Sequence, residues 1–188
     1  KIILLIFFGF FYLQPLAISS EEKIKIGLLV PLTGDNEELG QQIIKSTRIA
    51  LKDINTKKIE IYLKDTKSNP NQTIKSAIEF REMGIKIVIG PVFYKSLTYL
   101  DEVKEITFLS LTNKTLNLPS NVISAGVNAT SQLTAIKKFI ELNEIKKTIL
   151  LTPKLDYENE VKKGIKQSKI KIIKHYIYDT EPTKLTSQ

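Results

Sequence analysis

The chain predicts an α/β fold: one doubly wound parallel-sheet lobe followed by an incomplete second α/β lobe. Three observations carry that prediction. Short runs rich in Ile, Leu and Val take turns with longer stretches of helical periodicity. The first of those runs, at 24–30, lacks clean polar and apolar alternation, as suits a parallel strand covered on both faces. The same strand and helix pattern then starts again after Gly126.

The stretch IKIGLLVPLTGDNEELG, residues 24–40, reads as strand, turn and helix start in succession. Pro31 ends the strand, and Thr33 and Gly34 make the turn. Asp35, followed three residues later by Glu38, reads as a capping box for a helix that begins near Asn36 and runs to Asn55, with Leu39, Ile43, Ala50, Leu51 and Ile54 on its apolar face. A strand follows at 59–63. Asn69 and Pro70 give an N-cap and first-turn pair for a helix that buries Ile74, Ala77 and Ile78 and ends at Gly84. Residues 85–89 form the third strand, stopped by Gly90 and Pro91. A helix over 96–105, a strand at 107–111, a loop holding Asn113, Asn117, Pro119 and Asn121, and a strand at 122–125 complete the first lobe. Beyond Gly126 the spacing predicts a helix at 130–142, a strand at 148–152, a helix at 157–167 and a strand at 170–178. The boundaries are therefore a leader at 1–20, a first lobe at 21–126 and the start of a second at 127–188.

The leader prediction rests on one Lys, an apolar core from Ile2 to Leu13, the breaker pair Gln14 and Pro15, and small residues Ala17 and Ser19 at a cleavage site. The run is shorter than the about 20 residues that span a bilayer. It implies export to a periplasm, with a retained anchor as the alternative. No Cys occurs, which excludes disulfides, thiolate metal sites, a catalytic thiol and N-terminal lipid attachment through Cys within this sequence. The net charge of +8 raises nucleic acid as a partner. Against that, the basic residues are almost all Lys, scattered among Glu and Asp, with Arg only at Arg48 and Arg81. The charge reads as a solvated surface, and no nucleic-acid partner is expected.

Ligands of open α/β sheets bind at the carboxyl ends of the strands, so the loops there are where function would sit. They carry no phosphate cradle: G-x-G-x-x-G and G-K-[ST] are both absent. There is no acidic pair after the first strand, and no G-x-S-x-G. His175, the sole His, lies in an expected strand and reads as structural. Asp101 with Glu102, and Asp156 with Glu158, read as solvated helix starts. No catalytic residue, metal site or cofactor is assigned.

Three segments, P-L-T-G after the first strand with Gly40 in the helix, DTKSNPNQTIKSAIEF at 65–80, and IKIVIGPVFYKS at 85–96, resemble the type 1 periplasmic binding proteins of the leucine/isoleucine/valine-binding group. The resemblance covers most of the chain from Lys23 to about Gly164. It implies a ligand cleft at Thr33 and Gly34, at Tyr94, Lys95 and Ser96, at Thr112, Asn113 and Lys114, and at Tyr157 from the second lobe. Leu39 replaces the aromatic of the amino-acid binders, T-N-K replaces their A-A-T run, and Glu158 replaces a Gly. The opening LLVPLTG…LG, the I-G-P-V-F segment and T-N-K after the fourth strand look more like the penicillin-binding protein activator branch. That resemblance implies a non-enzymatic cell-envelope protein that regulates peptidoglycan synthesis by touching a synthase. The alternative is a periplasmic solute receptor that delivers an amino acid or another small polar ligand to the membrane permease of an ABC transporter.

Overall fold

The computed structural model describes residues 23–154 and 157–179. The expected leader, the export it implies and Asp156 lie outside them. Five strands, β1 (Ile24–Val30), β2 (Ile59–Asp65), β3 (Ile87–Ile89), β4 (Thr107–Ser110) and β5 (Val122–Ser124), form one sheet in the order β2-β1-β3-β4-β5. Every pairing in it is parallel. Helices α1 (Glu37–Ile54) and α2 (Pro70–Glu82) connect its first three strands. A second, two-stranded parallel sheet pairs β6 (Ile149–Pro153) with β7 (Lys174–Tyr178), and α3 (Ala129–Leu142) and α4 (Glu158–Ser168) accompany it.

The missing alternation in β1 has its expected cause. Successive strand residues point to opposite faces. Leu29 packs with Ala77, Phe80, Val88 and Phe108 in one core cluster, while Leu28 and Val30 pack with Ile44 of α1 in another. Both faces of the strand are thus buried, and both demand apolar residues.

Local chemistry then fixes the helices. Asn69 caps α2, its side-chain oxygen accepting from the N–H groups of Asn71 and Gln72, with Pro70 in the first turn. Helix α1 starts differently from expectation. Its N-cap, Asn36, makes no side-chain capping bond, and Asp35 and Glu38 do not form the capping box. The Asn36 amide donates instead to the Ser68 hydroxyl at 3.1 Å, so a tertiary contact displaces the local one. What positions α1 is Gly40, where a Cβ would stand 1.7 Å from the Pro31 carbonyl oxygen. The helix lies directly on the backbone leaving β1.

The helix expected over 96–105 is two short 3-10 turns, Tyr94–Leu97 and Leu100–Glu102. Leu97, Leu100, Val103 and Ile106 recur every third residue and all are buried, which fits the 3-10 repeat better than the α repeat. The Asn121 amide locks the segment by donating to the carbonyls of Leu100, Val103 and Ile106. The expected strand over 170–178 is shortened to β7 at its start. Ile170 is buried and its N–H meets the Ser168 hydroxyl, making it part of the exit from α4. Similarly Ile85 belongs to the end of α2, its N–H donating to the Phe80 carbonyl at 3.0 Å, so β3 begins at Ile87.

The Gly40 contact sets a measurable expectation. Alanine in place of an exposed helical glycine usually stabilises by about 0.5–1 kcal/mol. Gly40→Ala should instead destabilise the fold by about 1–3 kcal/mol, the range for overpacking, in urea unfolding. Gly34, at φ +84 with open space around it, should lose less, about 1–2 kcal/mol, when changed to Ala. Equal midpoints for wild type and Gly40→Ala would contradict the close approach.

Candidate functional site

The carboxyl edge of the five-stranded sheet gathers most of the residues that the sequence nominates. At the exit of β1, one carboxylate organises the turn. Asp65, last residue of β2 and opposite Val30 in the ladder, accepts from the Leu32 N–H at 2.8 Å and the Thr33 hydroxyl at 2.7 Å. It also accepts from the Lys67 N–H at 2.8 Å. Burial alone would push its pKa up. The Leu32 and Lys67 N–H groups, the Thr33 hydroxyl and the Lys67 charge outweigh that and hold it below the usual carboxylate value. The Thr33 hydroxyl is therefore committed to Asp65, while Gly34 is exposed with φ +84.

After β3, Tyr94 and Lys95 are exposed, and Ser96 is buried with its hydroxyl oxygen without a hydrogen-bond partner among the described residues. The Tyr94 hydroxyl reaches the Asn117 carbonyl at 3.5 Å, across the mouth of a cavity of about 440 Å³ that Leu97, Thr98, Asp101, Leu118 and Pro119 also line.

After β4, Ser110 and Thr112 are buried and serve the backbone. The Ser110 hydroxyl donates to the Pro91 carbonyl at 2.8 Å. Thr112 accepts through its hydroxyl from the Lys114 N–H and through its carbonyl from the Ser124 hydroxyl. Asn113 is exposed. The Lys114 ammonium lies 5.3 Å from the Tyr157 ring centroid and 6.0 Å from that of Tyr94, within cation–π reach of both. Tyr94, Lys114 and Tyr157, nominated from three separate segments, thus come together. The Tyr157 hydroxyl has its pKa raised by burial and then by the Glu160 charge, against a hydrogen bond from the Ala129 backbone.

Sequence reasoning missed three organising residues: Asp65, Asn121 and Glu160. Asp65 at a strand end and Asn121 in a loop carry no local sequence signal for these roles. Glu160 sits in α4 with a carboxylate that accepts from the N–H groups of Thr115 and Leu116, both at 2.8 Å. Burial raises the Glu160 pKa, but the Thr115 hydroxyl, the two N–H groups and Lys163 together lower it by more, leaving it below the usual value. As expected, Asp101 and Glu102 are exposed. Glu158 pairs with Lys162 one turn on. His175 meets the Thr152 hydroxyl at 2.7 Å in the two-stranded sheet. Among the described residues no group of three or more His, Cys, Asp or Glu could hold a metal ion. The arrangement offers hydrogen-bonding and cation–π surfaces among the described residues.

The two lowered carboxylates give a pH expectation. A group whose pKa is depressed on folding adds stability above its unfolded pKa, about 4 for these acids, and loses that contribution as pH falls through the folded value. Unfolding midpoints should therefore drop as pH is lowered below about 4. Asp65→Asn should be less stable at neutral pH and show a shallower acid slope. A slope unchanged by Asp65→Asn would remove Asp65 from the account.

Comparison with known proteins agrees with this architecture. A curated relative, Leu/Ile/Val-binding protein homolog 1 of Brucella abortus (strain 2308), is 37% identical over 73 residues, which cover 36% of this chain and 20% of that protein. The chain thus spans about a fifth of that relative's length. Among solved structures, the C-domain of LpoA (YraM) from Haemophilus influenzae, a regulator of PBP1A, superposes with a TM-score of 0.64 at 18% identity. That match covers 87% of this chain and 59% of the other. An ABC transporter substrate-binding protein from Sphaerobacter thermophilus gives a TM-score of 0.59 at 13% identity, covering 85% and 48%. The family described as periplasmic binding protein matches residues 23–183, a span that includes every described residue, and the protein belongs to that family.

Proposed function

We propose that this is a non-enzymatic cell-envelope protein of the penicillin-binding protein activator kind, working in the periplasm through a protein partner that synthesises peptidoglycan. The observation that carries the reading is the state of the hydroxyls on the carboxyl edge. Thr33 donates to Asp65 and Ser96 is buried, so neither donor is aimed into open space, and Thr112 is buried within its own turn. Capture of a small carboxylate needs donors aimed into open space. Each hydrogen bond to a charged group is worth about 1.5–3 kcal/mol, so two missing donors cost orders of magnitude in affinity. The likeness in fold to the LpoA C-domain supports the same reading.

A second reading is a periplasmic solute receptor for an amino acid or another small polar ligand, with a membrane permease as partner. The curated relative and the meeting of Tyr94, Lys114 and Tyr157 favour it. In either reading the two sheets are the cores of two lobes, the first ending near Gly126.

Thermal unfolding of the full-length gene product separates the two. A receptor at a ligand concentration 100 times its Kd would gain about 2.7 kcal/mol, a plain rise in Tm. No rise is expected with any of the common amino acids at millimolar concentration. A clear rise with leucine or another amino acid, abolished by Tyr157→Ala and by Ser96→Ala, would overturn the activator reading in favour of the receptor.

A further inference from the structure

The connection between β4 and β5 belongs in sequence to the five-stranded sheet, yet its middle is held from the second one. Its two ends are anchored as sequence order dictates: Thr112 to Ser124, and Asn121 to the 3-10 segment. Its middle is in the grip of α4. Glu160, only 4% exposed, takes the N–H groups of Thr115 and Leu116 on one carboxylate oxygen and the Thr115 hydroxyl on the other. Lys163, one turn further on, donates to the Thr115 carbonyl and hydroxyl, each at 3.1 Å. Both backbone polar groups of Thr115 and its side chain are thereby satisfied by one face of α4. The neighbouring Lys114 ammonium lies over the ring of Tyr157, the residue before α4.

We propose that Glu160 is a positioning residue that clamps residues 114–116 to α4, so that the Lys114 contact with Tyr157 is assembled before any ligand or partner arrives. The carboxylate suits this task because it is acceptor-only and faces three donors, which leave no place for the NH₂ of an amide except against the Thr115 hydroxyl. The clamp also sets the position of Asn117, Leu118 and Pro119, which follow directly and wall the 440 Å³ cavity. The edge of the first sheet and that cavity therefore share a wall whose placement depends on a side chain of α4. The inference holds whether the protein serves a peptidoglycan synthase or carries a solute.

Amide hydrogen exchange on the full chain, with trypsin cleavage as a second readout, tests it. In Glu160→Ala the amides of Thr115 and Leu116 should exchange roughly tenfold or more faster. The Lys114–Thr115 bond should become an early tryptic site, while the amides of Leu28 and Phe108 in the first sheet keep their rates. Glu160→Gln should be intermediate, since its one carbonyl oxygen can still accept both N–H groups. Thr115→Val should be milder still, because it keeps those two bonds. Unchanged exchange at 115 and 116 in Glu160→Ala would overturn the clamp. So would equal acceleration throughout the first sheet, which would make Glu160 a residue of general stability. Should Glu160→Ala fail to fold, the comparison rests on Glu160→Gln and Thr115→Val: opening confined to residues 115 and 116 supports the clamp, and its absence in both overturns it.

Discussion

The carboxylate of Asp65 is the contact on which the carboxyl edge of the first sheet depends. The β1–β2 ladder pairs Val30 with Asp65, so the last rung delivers an acceptor to the point where β1 turns toward α1. Leu32 and Lys67 each aim an N–H at it, and neither group has a helix or ladder to enter. The half-buried Leu32 N–H needs a partner, and the same acid also takes the exposed Lys67 N–H while fixing the Thr33 side chain. With the turn set, α1 settles on Pro31 at a distance that only a residue without Cβ allows, and Gly40 is that residue.

The same economy recurs along the edge and bears on function. Ser110, Thr112 and Ser124 bond one another's segments and the Pro91 carbonyl. Hydroxyls that lie near a strand's carboxyl end are natural ligand donors, but here they stitch irregular backbone together. Tyr94, Lys95 and Asn113 stay exposed there, beside the half-buried Lys114–Tyr157 pair. Of these residue types tyrosine is enriched where proteins meet proteins, whereas lysine is depleted there.

Most of the first sheet was legible because its signals are local. Asn69 with Pro70, the apolar run of β1 and the stop at Gly90 each specify structure within a few residues, and the structure places elements there. Signals failed where a distant group competes. Asp35 and Glu38 promise a capping box, but Ser68, far along the chain, takes the Asn36 amide. Residues 96–105 look helical until the threefold recurrence at Leu97, Leu100, Val103 and Ile106 is weighed together with Asn121. At the candidate site the chain nominated Tyr94, Lys114 and Tyr157 through resemblance, and the fold joins them. Glu160 and Asp65 escaped notice because an acid on an amphipathic helix, or at a strand end, reads as solvated until its N–H partners are known.

Among the described residues the two sheets differ in apolar burial, and Glu160 bridges them. In the first, Phe80 and Phe108 are fully buried in the larger of its two core clusters. In the second, Leu151 is 65% exposed, and α3 leaves Phe139 and Leu142 open at 60% and 74%. Helices α3 and α4 pack on each other closely, a Cβ on Gly164 falling 3.0 Å from the Ala129 backbone carbon. Directional contacts tie this pair to the first sheet's loop. The bonds from Glu160 and Lys163 to Thr115 and Leu116 are such contacts, made from the middle of the α3–α4 pair to a loop whose two ends are fixed in the well-packed sheet. Charge-assisted hydrogen bonds are shorter and stronger than neutral ones and depend on angle as well as distance, so they hold a geometry that non-directional apolar contact does not specify.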